Sequence, residues 1–176
     1  MFEIKKYLHS GSKIQHLSQI KGIFLESTEL VLSTEEEKNE AFKKWTEYYI
    51  EAHPEWIYLA LENNIVKAYI LVCPDSEKAL NLKKVFRSYE LFSDQFSDFP
   101  AHIHINASTK FRGQGLGSKL IEAVCTELEK EHKNGIHIVT RPDSDNVQFY
   151  QKLGFSHQVQ RSFDDFRLLF MGKTLT

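Results

Sequence analysis

Two cysteines in 176 residues, Cys73 and Cys125, are too few and too far apart for a thiolate metal site, a CxxC redox pair or a disulfide framework. Both sit in apolar contexts, where buried free thiols fit a reducing cytosol, so a cytoplasmic location is expected. No apolar run approaches the roughly 18 residues of a membrane span, and the opening MFEIKKYLHSG has no long apolar stretch either. An excess of one charge sign is also lacking: 22 Lys and Arg against 24 Asp and Glu leave a net charge of −2. That balance argues against a general nucleic-acid or anionic-membrane surface. No repeat, low-complexity tract or Pro/Gly/Ser-rich linker divides the chain, and residues 1–176 are expected to form one domain.

What is present is organised around Ala101 to Glu122, AHIHINASTKFRGQGLGSKLIE. Ile103, Ile105 and Ala107 alternate with His102, His104 and Asn106, the period of a strand with two chemically different faces. A polar turn, Ser108-Thr109-Lys110, leads to Arg112-Gly113-Gln114-Gly115-Leu116-Gly117 and then directly into an amphipathic segment, Ser118 to Lys130. Glycines at alternate positions let the backbone turn sharply and let a ligand lie against it. The N–H groups of the first helical turn, at the positive end of the helix dipole, then point at that ligand. Such a device holds a phosphate. It is not a P-loop, because the Gly-Lys-Ser/Thr ending is missing. Nor is it a dinucleotide fingerprint, which needs Gly-x-Gly-x-x-Gly and an acidic residue about 20 positions later.

Around this centre the pattern predicts a first strand from Met1 to Leu8 and a helix capped by Ser12 and running through Ile23. A second helix opens at Ser33-Thr34-Glu35-Glu36-Glu37 and runs to about Ala52, with Phe42, Trp45, Tyr48 and Tyr49 on its apolar side. That aromatic cluster reads as core before it reads as a substrate cage. Trp56–Leu61 and Ile65–Cys73 are strands joined by Glu62-Asn63-Asn64, a hairpin signal. Ser76 to Phe92 has helical spacing at Leu80, Leu82, Val85, Phe86 and Tyr89, and a packed surface loop follows to Pro100. Gly135 is expected to stop the long helix, Ile136–Thr140 to be a strand, and Gly154 to be a left-handed helix stop. Phe155–Val159 and Arg167–Met171 close the chain as strands.

Arg112, Gly115 and Gly117 fill the pattern (Arg/Gln)-x-x-Gly-x-(Gly/Ala), and the stretch resembles motif A of the GNAT superfamily of N-acetyltransferases. Downstream, Phe149, Tyr150, Gly154 and Phe155 resemble that family's aromatic-Tyr-x-x-x-Gly-Phe segment. The run His-Ile-His-Ile-Asn is also similar to a His-Leu-His-Ile-Asp strand in acetyltransferase-like domains related to those attached to some O-GlcNAcases, with Asn106 replacing the acidic residue. The resemblance implies an α/β (α+β) fold: a mixed, mostly antiparallel twisted central sheet of six to seven strands, flanked by helices and splayed at the cofactor site. It implies acetyl-CoA as co-substrate and no metal. Asn106, Ala107 and Ser108 would lie along the pantetheine arm, and Arg112, Gly113, Gln114, Gly115, Leu116, Gly117 and Ser118 around the pyrophosphate. Asn146, Phe149 and Tyr150 would add further cofactor contacts.

Acyl transfer by direct attack wants a base, an acid and an oxyanion donor. The resemblance makes Tyr150 the acid, with packing on the pantetheine as its other reading. His102 and His104 share one strand face and suit deprotonation near neutral pH, while a base acting through ordered water is the alternative. The expected activity is transfer of an acetyl group to a primary amine, on a small molecule or a peptide, in a ternary complex. No cysteine sits in a motif that suggests an acyl-enzyme. A homodimer is compatible with this reading. Two others stay open: a non-catalytic acyl-CoA-binding regulatory domain, favoured by Asn106, and more distantly a nucleotide-binding protein.

Overall fold

Asn63 and Asn64 both take left-handed backbone angles, φ 51° and 61°. This is the pair of positive values a two-residue type I′ turn requires, and asparagine tolerates it well. The turn joins β2 (Ile57–Glu62) antiparallel to β3 (Ile65–Cys73), as the sequence predicts. The structure, a computed structural model, describes residues 2–176; the side chains of Leu80, Asn81, Val85, Arg87 and Phe163 lie outside it, and with them the expected apolar roles of Leu80 and Val85. The other strands are β1 (Glu3–Lys6), β4 (Ala101–Ala107), β5 (Gly135–Thr140), β6 (His157–Phe163) and β7 (Phe166–Thr174). They form one open sheet in the order β1-β2-β3-β4-β5-β7-β6. Described registers are antiparallel except β4 on β5, which is parallel through Ala101–Ile136 and His102–His137. This is the mixed, mostly antiparallel seven-stranded sheet flanked by helices that the sequence implies.

By backbone contacts the chain falls into two compact units, residues 1–72 with 104–124 and residues 73–103 with 125–176. The first contains β1 to β3, the end of β4, α1 (Lys13–Ser27), α2 (Glu35–Ala52) and the start of α4 (Leu116–Lys130). Its core is the pair of nearly continuous apolar runs Ile57–Leu61 and Ala68–Val72, all buried, with Ile20, Ile23 and Phe24 from α1. The start of α2 is a capping box: Thr34 accepts from the Glu37 N–H at 3.1 Å, and the Glu37 carboxylate accepts from the Thr34 N–H at 2.9 Å. Ser12, by contrast, makes no side-chain cap bond at α1. There His16, fully buried, is held by the Ser10 hydroxyl at 2.8 Å and the Asn64 carbonyl at 3.1 Å.

The second unit departs from the helix expected over Ser76–Phe92. Only α3 (Leu80–Val85) is α-helical; Phe86 is extended (φ −116°, ψ 100°), and Arg87–Gln95 are 3-10 turns broken at Phe92. Phe92, Phe96 and Phe99 are buried against Phe170, and their spacing of four and three residues is that of one helix face, so this packing does not itself explain the break at Phe86. Arg161 grips this segment, giving Asp94 two bonds of 2.6 and 2.7 Å while its guanidinium lies 5.3 Å from the Phe92 ring centre. Gly135 does not stop α4. His132 is the left-handed residue there (φ 55°), and Gly135 opens β5, where a Cβ would lie 2.6 Å from the Asp98 carbonyl. Gly154 (φ 88°) follows α5 (Val147–Lys152) as expected. Among the described residues no helix is long and apolar enough to cross a membrane.

Candidate active site

The glycine loop lies in the first unit. Gly113 (φ 75°) and Gly115 (φ 77°) are both left-handed, and a Cβ built on either meets nothing within 4 Å. The need for glycine therefore comes from backbone shape, and the space in front of the loop is open. Gly117 already belongs to α4 and does not take a left-handed angle. The first bond of the helix runs from Lys119 N to the Gly115 carbonyl at 3.1 Å. It leaves the N–H groups of Leu116, Gly117 and Ser118 unused by the helix, at the positive end of a 15-residue dipole. Open space in front of left-handed glycines, together with convergent N–H donors, fits a phosphate-bearing ligand.

Other side chains brace that loop from behind. Glu26, near the end of α1, accepts from the Ser108 hydroxyl at 3.0 Å and the Thr109 N–H at 3.2 Å. Arg112 donates through Nε to the Ala107 carbonyl at 3.4 Å and through its terminal nitrogen to Ser27 Oγ at 3.2 Å. Gln114 folds back on the Lys110 carbonyl at 3.3 Å. In this structure Arg112 and Gln114 thus support the loop's shape through their side chains.

His104 and Asn106, two residues apart on β4, share a face. The Asn106 amide nitrogen is 2.9 Å from the Tyr69 hydroxyl and 3.1 Å from His104 Nε2. Around the imidazole stand Trp45 at 5.9 Å and 28°, Tyr69 at 6.2 Å and Phe24 at 6.4 Å, measured between ring centres. Burial among these rings pushes the His104 pKa down to about 4, so the ring is neutral across the working range. Tyr69, fully buried, is pushed up from its ordinary value by the same cause. The α2 aromatics divide: Tyr49 is buried core as expected, whereas Trp45 is 38% exposed.

The second unit holds the remaining site residues. His102 stacks on His137 at 5.1 Å and meets Tyr89 edge-on at 5.8 Å. Tyr150 on α5 is buried between Phe149 (5.1 Å) and Phe155 (5.4 Å), and its hydroxyl has no hydrogen-bond partner among the described residues. Burial drives its pKa up, so the phenol keeps its proton. Asn146, exposed, accepts from the Thr140 hydroxyl at 3.1 Å. Among the described residues no group of three or more His, Cys, Asp or Glu is placed to hold a metal ion.

Sequence reasoning missed Glu26, Ser27 and Tyr69 as parts of these arrangements. None belongs to a motif, and each reaches its partner from dozens of residues away.

A family model described as an acetyltransferase (GNAT) domain matches residues 53–157. Among curated proteins none matches the chain. Solved structures do. PH1933 from Pyrococcus horikoshii OT3 superposes with a TM-score of 0.74 at 18% identity, covering 100% of this chain and 99% of that one. The ribosomal-protein-S18-alanine N-acetyltransferase from Escherichia coli gives 0.63 at 17% identity, over 100% and 95%. The NatC complex bound to Gag peptide and CoA gives 0.64 at 15%, over 100% and 98%. Such low identities speak for the fold alone. The family match, however, spans well over half the chain and includes the glycine loop of the first unit and the Tyr150 helix of the second. On that ground the protein belongs to the GNAT acetyltransferase family.

Proposed function

We propose that this protein, as one domain over residues 1–176, transfers the acetyl group of acetyl-CoA to a primary amine on a small molecule or a peptide. The observation that carries the reading is the Gly113–Gly115 cradle, open in front and facing the free N–H groups that start α4. Residues Arg112 to Ser118 would hold the pyrophosphate, with Asn106, Ala107 and Ser108 along the pantetheine and Asn146, Phe149 and Tyr150 as further contacts. When bound, acetyl-CoA supplies a thioester that the amine opens directly in a ternary complex. Tyr150 keeps its proton at every working pH, which suits it to stabilise a departing thiolate by donating a hydrogen bond. His102 and His104 are the imidazoles available on the central strand, with proton removal through ordered water beside them. Two similar structures support this class: one is an N-acetyltransferase of a ribosomal-protein alanine, and another binds a peptide and CoA. The reading places the protein in the cytoplasm and allows a homodimer.

A second reading, a non-catalytic acyl-CoA-binding domain, is favoured by one observation: Asn106 stands against His104 where a carboxylate would have made the imidazole a stronger base. Calorimetric titration with acetyl-CoA, CoA and ATP, on the wild type and on Gly115→Glu, tests the cradle. Wild-type binding of acetyl-CoA, weakened at least about tenfold in a variant that still melts cooperatively, is expected, since a carboxylate would face the pyrophosphate. Binding of ATP and of neither CoA species would sink the proposal. Release of free CoA thiol with a panel of primary amines separates the transferase from the mere binder.

A further inference from the structure

We infer that Asn106 is a positioning residue that holds the imidazole of His104 as its Nδ1–H tautomer, so that His104 offers substrate a hydrogen-bond donor for an oxygen atom and does not act as the base. The inference rests on the acetyl-transfer reading for its role, but not for its geometry.

The Asn106 amide nitrogen carries two protons and no lone pair to share, and it faces two acceptors, the Tyr69 oxygen at 2.9 Å and His104 Nε2 at 3.1 Å. Each proton therefore has its partner. An Nε2 that accepts leaves the proton of the neutral ring on Nδ1. A second proton could enter only at Nε2, where it would meet the amide N–H donor against donor. The surroundings act in the same direction. From α1 the ring faces Phe24, from α2 Trp45, from β3 Tyr69 and from β4 Asn106. Of these only Tyr69 titrates, and burial keeps its hydroxyl neutral. Burial is the sole contributor to the lowered pKa of His104, with no carboxylate among its causes. A base needs a vacant lone pair and a willingness to become charged; here the lone pair is occupied and the charge disfavoured.

What remains is the Nδ1–H. It has no partner among the described residues, and it sits on the strand that leads, through a 3-10 turn at Thr109–Phe111, to the glycine loop. A lone N–H donor in an aromatic setting suits an uncharged or developing-negative oxygen, such as the thioester carbonyl or a carbonyl on the amine substrate. Both sources share this chemistry.

Nitrogen-15 NMR of the wild-type protein, with His104→Gln used to assign the signal, reads the tautomer directly. The expected result is a proton on Nδ1, a hydrogen-bonded bare Nε2, and no protonation down to pH 5. In Asn106→Asp, a carboxylate that only accepts should draw the proton to Nε2 and make His104 titrate about one to three pH units higher than in the wild type. Acetyl-CoA alone should perturb the Nδ1–H if the oxygen is the thioester's. A shift seen only with CoA plus glycinamide would place the oxygen on the acceptor. A wild-type proton on Nε2, titration near the ordinary histidine value, or an Nδ1–H that neither addition perturbs would overturn the inference. Absence of acetyl-CoA binding by calorimetry would instead remove the functional reading and leave the tautomer result standing.

Discussion

Phe99 is a residue whose surroundings leave little room. Its ring lies flat over two glycines of neighbouring strands, and a Cβ on Gly172 would sit 2.8 Å from two of its ring carbons, while one on Gly135 would sit 2.7 Å from one. The same ring stacks on His157 at 4.8 Å and meets Phe170 edge-on at 5.9 Å, so it has no slack in which to move. Gly172 has ordinary backbone angles, which makes the requirement purely one of space. Gly172→Ala should therefore destabilise the protein by about 1–3 kcal/mol, the usual range for overpacking a tight core. Urea denaturation measures this. The Phe99→Leu background should recover part of the loss, and a change under about 0.5 kcal/mol in Gly172→Ala would show that the ring can step aside.

At the scale of elements, the end of α1 acts as a brace for the glycine loop. One carboxylate oxygen of Glu26 takes both the Ser108 hydroxyl and the Thr109 N–H, and Ser27 takes the Arg112 guanidinium. These bonds hold the start of the loop, ahead of the two left-handed glycines from which the α4 N–H groups follow. Glu26→Ala should weaken acetyl-CoA binding about tenfold, the scale of one lost charge-assisted bond, with little change in thermal midpoint because the site is exposed. Glu26→Gln, which can still accept, should retain most of the affinity. Equal affinity in all three proteins would mean that the loop keeps its shape without the brace.

For the molecule as a whole, two histidines make stability depend on pH. Burial holds His104 and His137 at pKa values of about 4, with the Phe99 carbonyl, 2.6 Å from His137 Nδ1, only partly opposing it in the latter. In the unfolded chain both return to about 6.5. Between those values the unfolded state takes up protons that the folded state refuses, so stability is full above about pH 6.5 and is lost as the pH falls towards 4. The loss should reach about 1–3 kcal/mol per histidine. Urea midpoints measured from pH 7.5 to 4.5 should fall through this window, and His137→Gln should flatten the fall although it lowers stability at neutral pH. A midpoint that stays level from pH 7 to 4.5 would contradict the burial of these rings.

Local chemistry carried far in this chain. The paired asparagines at 63 and 64, the Thr34 to Glu37 capping box, the alternation along β4 and the run from Arg112 to Ser118 each act within a few residues, where backbone preference decides the outcome. The strands, the hairpin, the main helices and the family were legible for that reason. The helical spacing from Ser76 onward misled: only Leu80–Val85 keeps α-helical geometry, and the apolar period that continues to Phe92, Phe96 and Phe99 is buried from 3-10 turns and the loop after them. Gly135 misled too: a glycine after a helix looks like a stop, and only the Asp98 carbonyl and the Phe99 ring packed against it show what it is for. Glu26 meets Thr109 across 83 positions, and Tyr69 meets Asn106 across 37. No local pattern encodes such meetings, since they come about only when packing of the apolar faces brings distant segments together. The sequence by itself determined the elements, the glycine loop and the family; the tertiary structure decided which side chains brace that loop and where the proton of His104 resides.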